Sequence, residues 1–153
     1  MSRWGARRNR DGSFRLNLPE HERELVGGLV QQLRELLVAE ETDGLERLFP
    51  PAHANDEARN EEYRALVHDD LLERRLAAID VVEATIDATA LDESQLSAWM
   101  GAINDLRLVL GTRLDVSEEM EAIDPDDPRA AGFAVYGYLS QLLGNVVQAL
   151  ADW

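Results

Sequence analysis

Residues 99–116, WMGAINDLRLVLGTRLDV, decide how the rest of the chain is read. At 3.6 residues per turn, Trp99, Ile103, Leu106 and Leu110 share one apolar face, so the segment is an amphipathic helix. Its polar members fall on two adjoining stripes. Asn104, Arg107, Leu108 and Gly111 lie on one; Asp105, Val109 and Thr112 lie on the other, and Arg113 closes the segment. Asn104 and Arg107 are neighbours at i,i+3, and Gly111 leaves space one turn beyond Arg107 for a backbone or a long side chain. The leading expectation is a polar brace, with Arg107 reaching an internal carboxylate, because a buried charge persists only when paired. A recognition face for a protein or small ligand is the second reading. Catalysis is the weakest, since no base or nucleophile stands at a useful spacing from these residues.

Working outward, Asp92 and Gln95 have capping-box spacing and start this helix, which runs to about Leu114. Before it, Leu72, Leu76, Ile79 and Val82–Ile86 recur at helical spacing, in a helix that resumes near Asp56 and that His68–Asp70 interrupts or re-caps. Pro19 and the acids Glu20, Glu22 and Glu24 open an earlier helix running to about Ala39, where the dipole favours negative charge. Gly27 and Gly28 inside it predict close packing against another element. Between these helices, ETDGLERLFPPAHAND holds at most one turn at Leu45–Leu48, with Leu48 and Phe49 plugging the core. After an acidic loop, Asp127–Pro128 is a cap-then-first-turn signal for a last helix carrying Phe133, Tyr136, Leu139, Leu143, Val146, Val147 and Leu150. Tyr138, Leu142 and Trp153 do not share that stripe. They predict a second packing partner, the same helix in another subunit being one candidate.

The N-terminus differs in kind. Asp11–Gly12 predicts a two-residue hairpin turn, and Trp4, Phe14, Leu16 and Leu18 give an apolar face of period two. The fold expected is mainly α, a helical bundle of four to six helices with a short N-terminal β-hairpin. It forms a single domain over 1–153, with a basic hairpin at 1–18 and an acidic helical bundle at 19–153.

Charge follows the same division. Residues 1–18 hold five arginines and one acid, Asp11, a local +4 that leaves −19 on the remainder of a chain of net charge −15. Such a body repels nucleic acid and anionic membrane. Phosphate contact is confined to a basic arm of Arg3, Arg7, Arg8 and Arg10, and pairing of these arginines with the acidic helices is the more economical expectation. The absence of cysteine excludes thiolate metal sites and thiol switches within this chain and fits a reducing cytoplasm. No apolar run is long enough to cross a bilayer, and no apolar core follows the basic start, so a cytoplasmic location is expected.

Signatures of catalysis and cofactors are not found. There is no Glu-x-x-His pair for a di-iron bundle, and HERE at residues 21–24 lacks the second His of a zinc protease. His53 and His68 read as solvated or capping residues. Gly27–Gly28 is not a phosphate loop, and 118–127 lacks the glycine and ligand spacing of a calcium loop. The expectation is therefore a non-enzyme with no catalytic residues, metal or cofactor.

Three stretches together resemble the actinobacterial DUF2017 family. WMGAINDLRLVLG is similar to its W-x-x-A-[IV]-N-D-x-R-L-x-L-G segment, DPRAAGFAVYGYL to its closing helix, and RWGARRNRDGSFR to its basic start. The resemblance singles out Asn104, Asp105, Arg107 and Gly111, with Pro128 and Tyr136 from the closing helix. It implies a regulator: one branch of the family is a redox-sensing transcription factor that acts with a sigma factor through a Cys-x-x-x-Cys pair. That switch cannot operate in a chain without cysteine. What remains is a regulatory or adaptor role through a protein partner, such as the transcription machinery or a second copy, with DNA contact through the arm as the alternative.

Overall fold

The computed structural model describes residues 4–39, 57–114 and 126–151, with side chains from residue 66 onward in the second stretch. Its elements in order are β1 (Gly5–Arg8), β2 (Phe14–Asn17), α1 (Glu20–Val38), α2 (Glu57–Ala84), β3 (Ala90–Leu91), α3 (Glu93–Arg113) and α4 (Ala130–Ala151). Four helices and a three-stranded antiparallel sheet of order β1-β2-β3 make the described fold. The single turn read at Leu45–Leu48, the core plugs Leu48 and Phe49, the solvated or capping His53, the second-face Trp153 and the arm residue Arg3 lie outside the described residues, as does most of the acidic loop.

α3 lies at the centre of the helical body and packs against α2, α4 and α1. Its start is the predicted capping box: Gln95 N–H donates to Asp92 Oδ1 at 2.7 Å, and Asp92 N–H donates to Gln95 Oε1 at 2.9 Å. Leu96, Trp99, Ile103 and Leu106 are buried along its inner face as the spacing requires, while Leu110 is half-buried. The Trp99 indole N–H donates to Thr85 Oγ1 at 2.7 Å, and that hydroxyl donates to the Val81 carbonyl at 2.7 Å. A buried tryptophan thus keeps its donor satisfied where α2 ends.

Three expectations about the helices change. α2 continues through His68–Asp70 without a break. Asp69 and Asp70 are exposed and His68 is half-buried, and Asp70 pairs with Arg74 one turn on at 3.0 Å, a spacing that supports the helix. Close packing does not account for the paired glycines of α1: a Cβ on Gly27 would make an ordinary 3.7 Å contact with Ile86, and one on Gly28 would meet nothing within 4 Å. In α4, Leu142 is fully buried with Leu139 and Val146. Tyr138 packs edge-on against Trp4, with ring centroids 6.3 Å apart. The hairpin is the second partner of α4, so these two residues give no ground for a dimer.

The hairpin turn also differs from expectation. Asn9 N–H donates to the Ser13 carbonyl at 2.7 Å and Gly12 N–H to the Asn9 carbonyl at 3.2 Å, with φ of +88° at Gly12. The loop is a turn followed by one left-handed residue, so only the glycine needs positive φ. The third strand was not foreseen; two residues are too few for a periodic signal.

The open edge of β1 is closed by α4. Ala6 pairs with Leu16, whose N–H turns to the Thr89 carbonyl at 2.9 Å on the β3 side, so Ala6 N–H points away from β2. Asn145 Oδ1 accepts it at 2.6 Å. Gly5, at φ +90°, lies so close to Asn145 that a Cβ there would collide with the amide. A side chain from a helix thereby supplies the acceptor that a fourth strand would have supplied.

Candidate functional site

The polar residues of α3 separate into two groups with different tasks. Asp105 is 4% exposed and forms an ion pair with Arg75 of α2. Burial raises the Asp105 pKa from its ordinary value, while the Arg75 hydrogen bond and charge act in the opposite direction. The pair therefore ties α2 to α3 across the bundle, and it is Asp105 rather than Arg107 that forms the expected brace.

Among the described residues Arg107 does not reach a carboxylate, contrary to the sequence reading. Its Nε–H donates to Ser140 Oγ of α4 at 2.9 Å, and its guanidinium carbon lies 5.6 Å from the Tyr136 ring centroid. Gly111 explains the position of that ring. A Cβ at Gly111 would meet Tyr136 Cε2 at 3.1 Å, so glycine lets the tyrosine lie against α3 where it supports the arginine. Among the described residues, the two terminal nitrogens of Arg107 carry no hydrogen bond or ion pair. The side chain of Asn104, half-buried one turn earlier, makes no hydrogen bond among them either. The result is a half-buried guanidinium fixed from one side with its fork open on the other, beside an unengaged amide. Arg113 stands apart. It is exposed at the end of α3, where it lines an apolar cleft of about 70 Å³ with Leu29, Leu33, Leu36 and Leu106.

The basic arm also divides. Arg8 turns inward: its guanidinium lies 4.7 Å from the Phe14 ring centroid, and Nη2 donates to the Leu150 carbonyl of α4 at 3.0 Å. Arg7, Arg10 and Arg15 are exposed, and the expected pairing with acidic helices is not made by them among the described residues. Pro128 precedes α4, where Asp127 Oδ1 accepts from Arg129 N–H at 2.8 Å, so the capping signal is used although the helix starts two residues later.

One polar centre went unread in the sequence. Arg23 is buried beneath the sheet and donates to four carbonyls: Leu18 at 3.0 Å, Ile86 at 2.5 Å, Ala88 at 3.0 Å and Leu16 at 2.9 Å. It joins α1, β2 and the α2–β3 connection at one point. The signal was present in its spacing. Arg23, Val26, Val30, Leu33 and Leu37 keep one alternating three-and-four step, so Arg23 is in phase with the buried stripe.

Among the described residues, no group of three or more His, Asp or Glu side chains could hold a metal ion, and no helix is long and apolar enough to cross a membrane.

The family model for DUF2017, a domain of unknown function, matches residues 1–150. The chain belongs to the DUF2017 family. Relatives of this DUF2017 protein include the oxidative stress regulator AosR of Mycobacterium tuberculosis and that of Mycobacterium bovis. Each is 33% identical over 113 residues, which is 71% of this chain and 52% of the relative. A Mycobacterium leprae counterpart is 30% identical over the same length. The chain thus spans about half the length of the curated relatives it matches. No solved structure matches it significantly.

Proposed function

We propose that this DUF2017 protein is a non-enzymatic regulatory or adaptor protein that acts by binding another protein, in stress or transcriptional control. The contact includes the α3–α4 surface around Arg107. The observation that carries this reading is the guanidinium itself. In a chain with 30 acidic residues, Arg107 is held by Ser140 and Tyr136, with no carboxylate on its fork among the described residues. A guanidinium fixed in this way loses little further entropy when it takes a carboxylate bidentately, as arginine does at interfaces. The names of the AosR relatives support the regulatory part. Because this chain has no cysteine, control through a thiol pair would have to lie outside it.

Affinity capture from extracts of the native cell tests the reading, with wild type and Arg107→Ala run side by side. A partner held by wild type and lost from a folded Arg107→Ala protein supports it. Identical captured sets would overturn the assignment to this surface. Direct DNA contact through the arm is the weaker alternative, because Arg8 is committed to Phe14 and Leu150.

A further inference from the structure

The sheet has an inner and an outer face, and the outer face carries arginines that form no ion pair among the described residues. Phe14, Leu16 and Leu91 are buried inward, while Arg7 and Arg15 are exposed on the other side. The register sets these two arginines directly opposite each other across β1 and β2. Like charges in that position repel and cost stability. Arg10, exposed at the turn of the same hairpin, is a third positive charge on this element. The one acid of the hairpin, Asp11, offsets only part of this charge and is held at the turn. Asp11 accepts from Ser13 N–H at 2.9 Å and from the Ser13 hydroxyl at 2.6 Å, bonds that lower its pKa and hold it to the turn. Ala90, the residue beside Arg15 on β3, is small and exposed and leaves the flank of the patch open.

We infer that the Arg7–Arg15 pair, with Arg10, is a docking site for an acidic segment of a partner protein, separate from the Arg107 surface. The argument is one of charge complementarity and rigidity. The pair sits on a sheet held from beneath by Arg23 and along its edge by Asn145 and Arg8, so the two guanidinium groups start from fixed backbone positions. Directly opposed residues have Cβ atoms about 5 Å apart, close to the spacing of acids three or four residues apart on a helix. A short acidic segment brings a few charges within a Debye length of the patch. Duplex DNA extends well past it, presenting a charge about every 1.7 Å to a molecule of net charge −15. The balance of attraction and repulsion therefore favours the compact acidic ligand.

Fluorescence anisotropy tests this with the full chain, using labelled octaglutamate, octaglutamine and a short DNA duplex as probes. Octaglutamate binding that weakens as salt rises, together with no octaglutamine binding, is the expected result. The Arg7→Thr, Arg15→Thr double variant should weaken octaglutamate at least about tenfold. Its Tm should be unchanged or higher, because the repulsion is gone and threonine suits a strand. A lower Tm would assign the pair a structural role and overturn the inference. So would failure of octaglutamate to bind, or binding of the duplex as tightly as the peptide, which would make the patch a nucleic-acid contact. Arg74→Ala, at an exposed arginine of α2 outside both surfaces, should bind octaglutamate like wild type, and a loss there would mean that binding follows overall charge rather than the pair, overturning the inference. Failure of this proposal leaves the Arg107 reading intact, and failure of that reading leaves this one intact.

Discussion

Arg23→Met keeps much of the side-chain length and removes four donations to buried carbonyls at once. Hydrogen bonds from a charged donor are worth more than neutral ones, so the variant should lose at least about 3 kcal/mol in urea unfolding. Arg23→Lys should recover only part of it, since a single ammonium cannot reach carbonyls placed around a planar fork. Asp105 gives a prediction with a sign. Its folded pKa is raised above the ordinary 3.8, so the folded state binds its proton more tightly than the unfolded chain does. Its contribution to stability is then fully present below 3.8 and is lost as pH rises through the folded pKa. Subtracting the urea midpoints of Asp105→Asn from those of wild type isolates this group. The difference should move in favour of wild type as pH falls toward 3.8, and a flat difference would contradict it.

At the scale of elements, the joint between β1 and α4 is the most exposed to single changes. Gly5→Ala forces a residue with a Cβ to φ +90° and pushes it into Asn145. The backbone penalty and the lost Ala6–Asn145 bond together should cost about 2–3 kcal/mol. Asn145→Ala should cost about 1 kcal/mol and speed hydrogen exchange at the Ala6 amide, which NMR would detect. The helices were legible because period and capping are local. Asp92–Gln95, the Trp99–Leu106 face and the Pro19 start all fell where the spacing put them. Partnerships across the chain were not legible in this way. Nothing near Arg107 indicates that its acceptor is the Ser140 hydroxyl, and nothing near Asp105 indicates that it pairs with Arg75 on a different helix. β3 escaped because two residues have no period, and Arg23 because an arginine in an apolar phase reads as an exception until its four carbonyls are seen.

For the molecule as a whole, charge is the dominant quantity. A net −15 stores repulsion in the folded state, while its exposed ion pairs, such as Arg34 with Asp80 and Glu83, contribute little. Screening should therefore stabilise it. Thermal unfolding followed by circular dichroism should show Tm rising as sodium chloride goes from about 20 mM to about 300 mM, over which the Debye length falls below about 8 Å. A falling Tm would mean that attractive pairs outweigh the repulsion. The Ala6–Asn145 and Arg8–Leu150 bonds, which span 139 and 142 residues, also bear on the order of events during synthesis. β1 is synthesised before α4, and its margin is sealed only once that helix has formed. Until then the nascent hairpin carries an unsatisfied border, and premature termination within α4 would leave β1, far upstream of the break, open to unwanted strand pairing.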